Sequence, residues 1–331
     1  MVFLNRAADG ETMSAMIGFV SPRTGAALRP EGDALVSGDG ERVPIFSGIP
    51  RFVSSDDYAA AFGLQWNLHA GTQLDSRTGA HLTELRLVRC AGLPLEQFAG
   101  LRVLEAGCGA GRFTELLVGA GALVHSIDLS AAAVDTNRRN IGAPPNYAIA
   151  QADIRALPFP AGVFDVVICL GVLQHTPSPE QSLAALWRMV APGGRLVIDH
   201  YTWTLSRVTK LAPLYRMFLK RLSPTGSRRI TEALVNVFFP LHWAVRRTRL
   251  LQTLLSRVSP CLAYCHIYPD LTRAQHEDWC RLDTYDELTD RYKRLRTAGQ
   301  IRRTLTALGA TNVQAVRRGH VVEAACRKPL W

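Results

Sequence analysis

The residues best placed to do chemistry cluster around one glycine-rich run, Val103-Leu104-Glu105-Ala106-Gly107-Cys108-Gly109-Ala110-Gly111. An apolar segment runs into alternating glycines, and a helical pattern starts directly after them. Glycines at such a turn let the backbone pass close to a ligand where a Cβ would clash. The helix that follows offers free N–H groups at its amino end. Asp128 ends the next apolar run, about 20 residues on, where a carboxylate can take both hydroxyls of a ribose. Asp153, in QADIRALPF, ends the third run and suits an exocyclic adenine amine. No G-K-[ST] and no G-x-x-G spacing follow, so the turn lacks the usual features of a phosphate cradle. Two histidines, His175 in LGVLQHT and His200 in VIDHY, fall at carboxyl ends of strand candidates, on the rim where open α/β sheets bind ligands. A base at that rim serves a hydroxyl nucleophile, and His200 is the preferred one, with His175 holding a loop. Tyr201 and Trp203 offer ring faces to a cationic intermediate.

Those residues need a particular scaffold. LRVLEAG, ALVHSIDLS, YAIAQADI, FDVVICLG and GRLVIDHY read as strands, and RFTELLVGAG, AAAVDTNRRN and PEQSLAALWRMV read as the helices between them. Such alternation predicts an α/β fold with a parallel sheet covered on both faces. TAGQIRRTLTALGA, TNVQAV and HVVEAACRK resume it after an interruption. Five parts follow: a β-rich module over 1–55, a helical connector over 56–95, the ligand-binding core over 96–200, a basic helical insert over 201–285, and the last helix and two strands over 286–331.

The core resembles the class I S-adenosylmethionine-dependent methyltransferases. The likeness covers about residues 100–200 and rests on E-A-G-C-G-A-G, H-S-I-D-L-S, Q-A-D-I-R-A-L-P-F, F-D-V-V-I-C-L-G-V-L-Q-H-T and the A-P-G-G-R-L turn. It implies a Rossmann-like, seven-stranded methyltransferase sheet and S-adenosyl-L-methionine as cofactor. By the same likeness Glu105, Gly107 and Gly109 belong to the turn beside the methionine part. Asp128, with Leu129 next to it, would hold the ribose. Asp153 would meet the adenine, with Ile154 packed on its ring, and Leu170 and Gln174 would line the methionine side. The alternative for Asp128 and Asp153 is that they cap the following helices.

GFVSPRTGAALRPEGDALVSGDGERVPIFSGIPRFV resembles the small zinc-ribbon module of the Trm112-like type, with Pro22 and Pro44-Ile45…Gly48-Ile49-Pro50 retained. Ser21, Thr24 and Ser37 stand at or near its cysteine positions, and a hydroxyl is a poor zinc ligand, so a metal-free remnant is expected. Phe62–Asn67 and Thr72–Ser76 resemble a block that precedes the core in bacterial methyltransferases of glycan and natural-product pathways. As a lid over the cofactor, that block would bring Trp66 or Gln73 to the methionine end. As a helix on the sheet edge it would not.

Net charge is +10 over 331 residues. From Tyr201 to Asp270 eleven basic residues face only Glu232 and Asp270, so nearly all of the excess lies in the insert. Its apolar runs LAPLYRMFLKRL, ALVNVFFPLHWAV and LLQTLLSRV are too short to span a bilayer and suit packed or interfacial helices. The readings are a lid on a bulky acceptor, a peripheral contact with anionic lipid or a lipid-linked substrate, and an oligomer contact or a merely solvated face. No nucleic-acid module stands out, and N-P-P-Y and D-P-P-Y are absent after the fourth strand. Seven irregularly spaced cysteines and the lack of a long apolar leader predict reduced thiols in a cytoplasmic protein. Cys261, Cys265, His276 and Cys280 offer a C-x3-C…H-x3-C set, but no metal is assigned to it. The activity expected is methyl transfer to a small-molecule acceptor, through oxygen on a sugar or specialised metabolite. Carbon methylation of an apolar or lipid-linked acceptor, and a non-catalytic cofactor-binding partner protein, are the alternatives.

Overall fold

The computed structural model of the chain describes residues 16–53, 69–205 and 209–330. Four short strands come first: β1 (Leu28–Glu31), β2 (Ala34–Ser37), β3 (Arg42–Phe46) and β4 (Ile49–Pro50), paired antiparallel in that order. Ser21 and Ser37 organise the turns around them. The Ser21 hydroxyl accepts from the Thr24 N–H at 3.0 Å and donates to Glu41, and the Ser37 hydroxyl accepts from the Glu41 N–H at 3.0 Å. Hydroxyls thus close turns at two of the three positions, Ser21 and Ser37, at or near which the zinc-ribbon likeness would place thiolates. This small sheet seals the edge of the main one. The Val20 N–H donates to the Pro158 carbonyl at 3.0 Å, and the Phe52 N–H to the Gln151 carbonyl at 2.8 Å. Phe19 packs on both Phe52 and Phe159. An edge covered in this way is withdrawn from strand addition.

Helices α1 (Asp75–Thr78) and α2 (Leu82–Ala91) lead into the main sheet. Its elements in chain order are β5 (Arg102–Ala106), α3 (Arg112–Gly119), β6 (Leu123–Asp128), α4 (Ala131–Ile141), β7 (Tyr147–Gln151), β8 (Phe164–Cys169), α5 (Pro179–Met189) and β9 (Val190–Tyr201). An insert follows, with α6 (Ala212–Leu219), α7 (Pro224–Ala244), α8 (Arg249–Val258) and α9 (Arg273–Thr289). The chain then returns through α10 (Ala298–Ala307), β10 (Thr311–Arg318) and β11 (Val321–Arg327). The strand order is β10-β11-β9-β8-β5-β6-β7. β5 to β9 pair in parallel, whereas β11 runs antiparallel to both neighbours. The sheet is therefore the seven-stranded Rossmann-like one expected from the sequence.

The central strands are apolar on both faces because both faces are covered. Leu104, Val167, Leu196 and Ile198 point into one core, and Val103, Val166, Ile168 and Val197 into the other. That alternation is the period-2 geometry of a strand. From β5 the chain goes to β6 on one side and later to β8 on the other, and the crevice at the carboxyl ends opens where the order reverses.

The insert has its own nucleus of Val235, Phe239, Cys261, Cys265 and Cys280. Its last helix, α9, runs on to Thr289, past the boundary at 285 read from the sequence. A capping box at Thr272 and Gln275 fixes where that helix starts. Among the described residues no helix is long and apolar enough to cross a membrane.

Candidate active site

The glycine turn sits between β5 and α3. Gly107 has φ +80°, and a Cβ there would lie 2.2 Å from Val172 Cγ2. Only glycine lets the turn lie this close to the loop after β8. The N–H groups of Gly107 and Cys108 both donate to the Ile127 carbonyl, at 2.8 and 3.0 Å, which ties the turn to the end of β6. Asp128, the last residue of β6, completes the tie. One carboxylate oxygen accepts from the Gly109 N–H at 2.9 Å and the other from the Ser130 N–H at 2.9 Å. The carboxylate lies in the cavity lining.

Glu105 lies beneath the turn and outside the cavity lining. Its Oε2 accepts from Thr114 at 2.6 Å and Ser126 at 2.9 Å, and burial pushes its pKa up to about 7. It braces β5, β6 and α3 against one another from inside.

A cavity of 1180 Å³ opens above the turn. Gly107, Gly109, Asp128, Leu129, Ile154 and Leu170 line its sheet side. Gln73 also lines it, its side-chain carbonyl accepting from Arg112 Nη1 at 2.9 Å. Asp153 is held aside by Arg155 at 2.6 Å and is not in the lining. Gln174 is buried and is not in the lining either. Trp66 lies outside the described residues.

Of the two histidines, the structure brings only His175 to the cavity. His200 was the base expected from sequence, and its placement corrects that assignment. It is fully buried, its Nδ1 lies 2.9 Å from the Tyr201 carbonyl, and it does not line the cavity. The reason is strand alternation: Asp199 and Tyr201 turn toward the site, so His200 between them faces the other way. Tyr201 lines the cavity and packs edge-on against His175 with ring centroids 5.4 Å apart. His175 Nδ1 is 3.0 Å from Asp290 Oδ2, and its Nε2 is 3.9 Å from Asp286. Burial lowers the His175 pKa and so favours the neutral ring, against the pull of the nearby Asp286 charge. Among the described residues His175, Asp286 and Asp290 also form the one grouping with metal-ligand spacing. Arg216 and Lys293 already pair with Asp290, so its charge is met by protein cations. The sulfurs of Cys261 and Cys280 instead approach the Leu234 carbonyl and the Thr284 hydroxyl, each at 3.7 Å.

Several lining residues escaped sequence reasoning. Arg86 on α2 pairs with the buried Asp199, which also accepts from the Gly171 N–H at 2.6 Å. Arg112 follows the glycines directly and lies over the Phe113 ring at 4.9 Å. Its Nε is buried without a hydrogen-bond partner, and burial with the nearby Arg86 lowers its pKa to about 10. From the insert come Tyr264 and Tyr268, beside Asp283 and Asp286, which the stretch WCRLDTYDELTDRY already offers as residues that face the acceptor or anchor the insert. Asp283 is pushed up to about 6 by burial, while a hydrogen bond from Tyr264 opposes that shift. Only Arg112 carried a usable sequence signal, its position next to the turn. The insert residues meet the site through tertiary packing alone.

Residues 104–198 match the family model described as a methyltransferase domain. A ubiquinone biosynthesis O-methyltransferase of Thiobacillus denitrificans is 37% identical over 135 residues, 39% of this chain and 56% of that relative. One of Burkholderia multivorans is 38% identical over 153 residues, 44% of this chain and 64% of the relative. The chain thus spans little more than half the length of the first of these curated relatives. Among solved structures, magnesium protoporphyrin IX methyltransferase from Synechocystis with bound SAH aligns at 16% identity and a TM-score of 0.46, over 82% of this chain and 97% of the other. The matched segment holds the glycine turn and the strands β6 to β8 around it: over residues 104–198 the chain carries a methyltransferase domain.

Proposed function

We propose that the protein transfers a methyl group from S-adenosyl-L-methionine to a hydroxyl of a small-molecule acceptor. The observation that carries this reading is the pairing of the Gly107–Gly111 turn with Asp128 at the floor of a cavity large enough for two ligands. The donor set fits the cofactor. Asp128 turns its carboxylate to the cavity where ribose hydroxyls would lie, Ile154 and Leu129 offer apolar contact to a purine, and the unpartnered Arg112 Nε suits a carboxylate. When bound, the cofactor supplies an electrophilic methyl group. The protein's own task is to align the acceptor oxygen, exclude water and take up a proton.

His175 is the base in this scheme. Burial favours its neutral form, it is oriented through Nδ1 by Asp290 and the Tyr292 carbonyl, and it belongs to the cavity wall. Tyr201, Tyr264, Tyr268 and Trp279 supply an aromatic wall that suits an aromatic or apolar acceptor better than a bare sugar. The relatives' printed function, O-methylation in ubiquinone biosynthesis, supports oxygen as the atom methylated.

The test supplies methyl-labelled cofactor with hydroxylated aromatics and locates the label by NMR. Label on oxygen is expected. His175→Gln should lower kcat by about 10²-fold or more while leaving affinity for S-adenosylhomocysteine unchanged. Label on carbon, or a His175→Gln variant as fast as the wild type, overturns the assignment.

A further inference from the structure

We propose that the outward face of α6 and α8 docks on an anionic lipid bilayer, from which an amphiphilic acceptor enters the cavity. The second half of this statement rests on the proposed methyltransferase function; the first does not.

Helix α8 is packed inside out. Its one buried side chain is Gln252, whereas Leu250 (68% exposed), Leu251, Leu254 (56%) and Val258 face outward. A helix on a water-facing surface turns its polar side out. Here the rotation is locked by hydrogen bonds. Gln252 Oε1 lies 2.8 Å from His242 Nδ1, Gln252 Nε2 donates to the His242 carbonyl, and His242 Nε2 lies 2.9 Å from the Ser259 hydroxyl. The leucine stripe is therefore held outward by a satisfied polar lock beneath it.

Helix α6 repeats the pattern. Leu211, Leu214 and Phe218, at helical spacing, are exposed, and Leu219 alone is buried. The Leu211 N–H donates to the Arg257 carbonyl at 2.8 Å, which joins the start of α6 to the end of α8. The two stripes are thus neighbours. A patch of this extent marks an interaction surface.

Charge selects the partner. Lys220 and Arg221 close α6, Arg247 and Arg249 open α8, and none of the four has an acidic partner among the described residues. Apolar helices flanked by cations lie in the plane of a membrane interface, drawn by anionic headgroups. A second copy of this chain would set the same cations against each other across a two-fold contact, which costs Coulomb energy. The inner sides of these helices reach the cavity, with Ala212 and Pro213 of α6 and Thr253 and Ser256 of α8 in its lining. A molecule resting in the bilayer with its polar head raised would lie next to that opening.

The experiment uses the full chain and sedimentation with vesicles of phosphatidylcholine alone, or with about 30% phosphatidylglycerol added. Partitioning should favour the anionic vesicles by about tenfold or more and weaken with salt. Leu250→Asp with Leu254→Asp should lower it by about tenfold or more. Arg247→Glu with Arg249→Glu should abolish the preference for phosphatidylglycerol. Both variants should keep the wild-type circular dichroism and S-adenosylhomocysteine affinity, so a failure of membrane docking is distinguishable from a failure of the methyltransferase reading. Absence of vesicle binding overturns the proposal. So does equal binding by the leucine double variant, or light scattering that finds a wild-type dimer which this variant splits.

Discussion

Replacing Gly107 by alanine should damage the site in two separable ways. The new side chain inherits φ +80°, a left-handed conformation that costs an L-residue about 1–2 kcal/mol. Its Cβ also falls 2.2 and 2.9 Å from the two γ-methyl groups of Val172, an overlap in the range where overpacking costs about 1–3 kcal/mol. Together they predict a loss of about 2–5 kcal/mol in unfolding free energy, read by urea titration at constant slope. Val172→Ala removes both γ-methyls and leaves only the Val172 Cβ at 3.0 Å, so in the double variant most of the overlap is relieved and the conformational cost stays. The cycle should therefore give a favourable coupling of about 1–3 kcal/mol between the two substitutions. Because the same displacement spoils the floor of the cavity, the single variant should also bind S-adenosylhomocysteine more weakly. A Gly107→Ala protein within about 0.5 kcal/mol of the wild type, or a double variant that recovers nothing, would refute the close-approach argument.

Two buried groups should shape the pH dependence of stability in opposite directions. Glu105 titrates at about 7 when folded, against 4.5 for a free carboxylate, so the folded state holds its proton longer. Stability should fall as pH rises between those values, by about 3 kcal/mol, and Glu105→Gln should flatten that fall in a series of denaturation curves. His125 is lowered to about 4 by burial, and its Nε2 accepts from the Ile17 N–H at 3.0 Å. Here the unfolded state takes the proton first, so stability should fall as pH drops below 6.5, with hydrogen exchange of the Ile17 amide speeding up in step. Arg86→Ala should cost about 3–5 kcal/mol, because the buried Asp199 keeps only the Gly171 N–H, and Asp199→Asn in that background should return part of it.

The fold was legible because its signals are local. Strands such as VLEAG and VVICL are continuous apolar runs, and the helices between them carry clear 3.6-residue periodicity. The position of Asp128 was legible for the same reason, since a residue at the end of a strand beside the reversal in strand order must face the crevice. What escaped was anything decided by side-chain direction or long-range packing. His200 and Tyr201 are adjacent in sequence, yet alternation sends them to opposite faces, and a shift of one residue in the pleat decides which one meets a ligand. Arg86 reads in sequence as one cation on an ordinary amphipathic helix, and only its pairing with Asp199, 113 residues away, draws it to the site. The insert residues Tyr264 and Tyr268 have no motif at all. The excess charge of the insert was readable from composition, whereas the inverted burial of α8 was not, because LLQTLLSRV carries the same stripe whichever side it presents.

The most direct test is titration calorimetry of the folded chain with S-adenosylhomocysteine, in the wild type and in Asp128→Asn. The substitution keeps an oxygen for the Gly109 N–H and removes the charge offered to the ribose. One-to-one binding by the wild type and a dissociation constant raised by about tenfold to a hundredfold in the variant are expected. Folded wild-type protein that takes up none of this compound, or a variant that binds it equally well, would contradict the cofactor site.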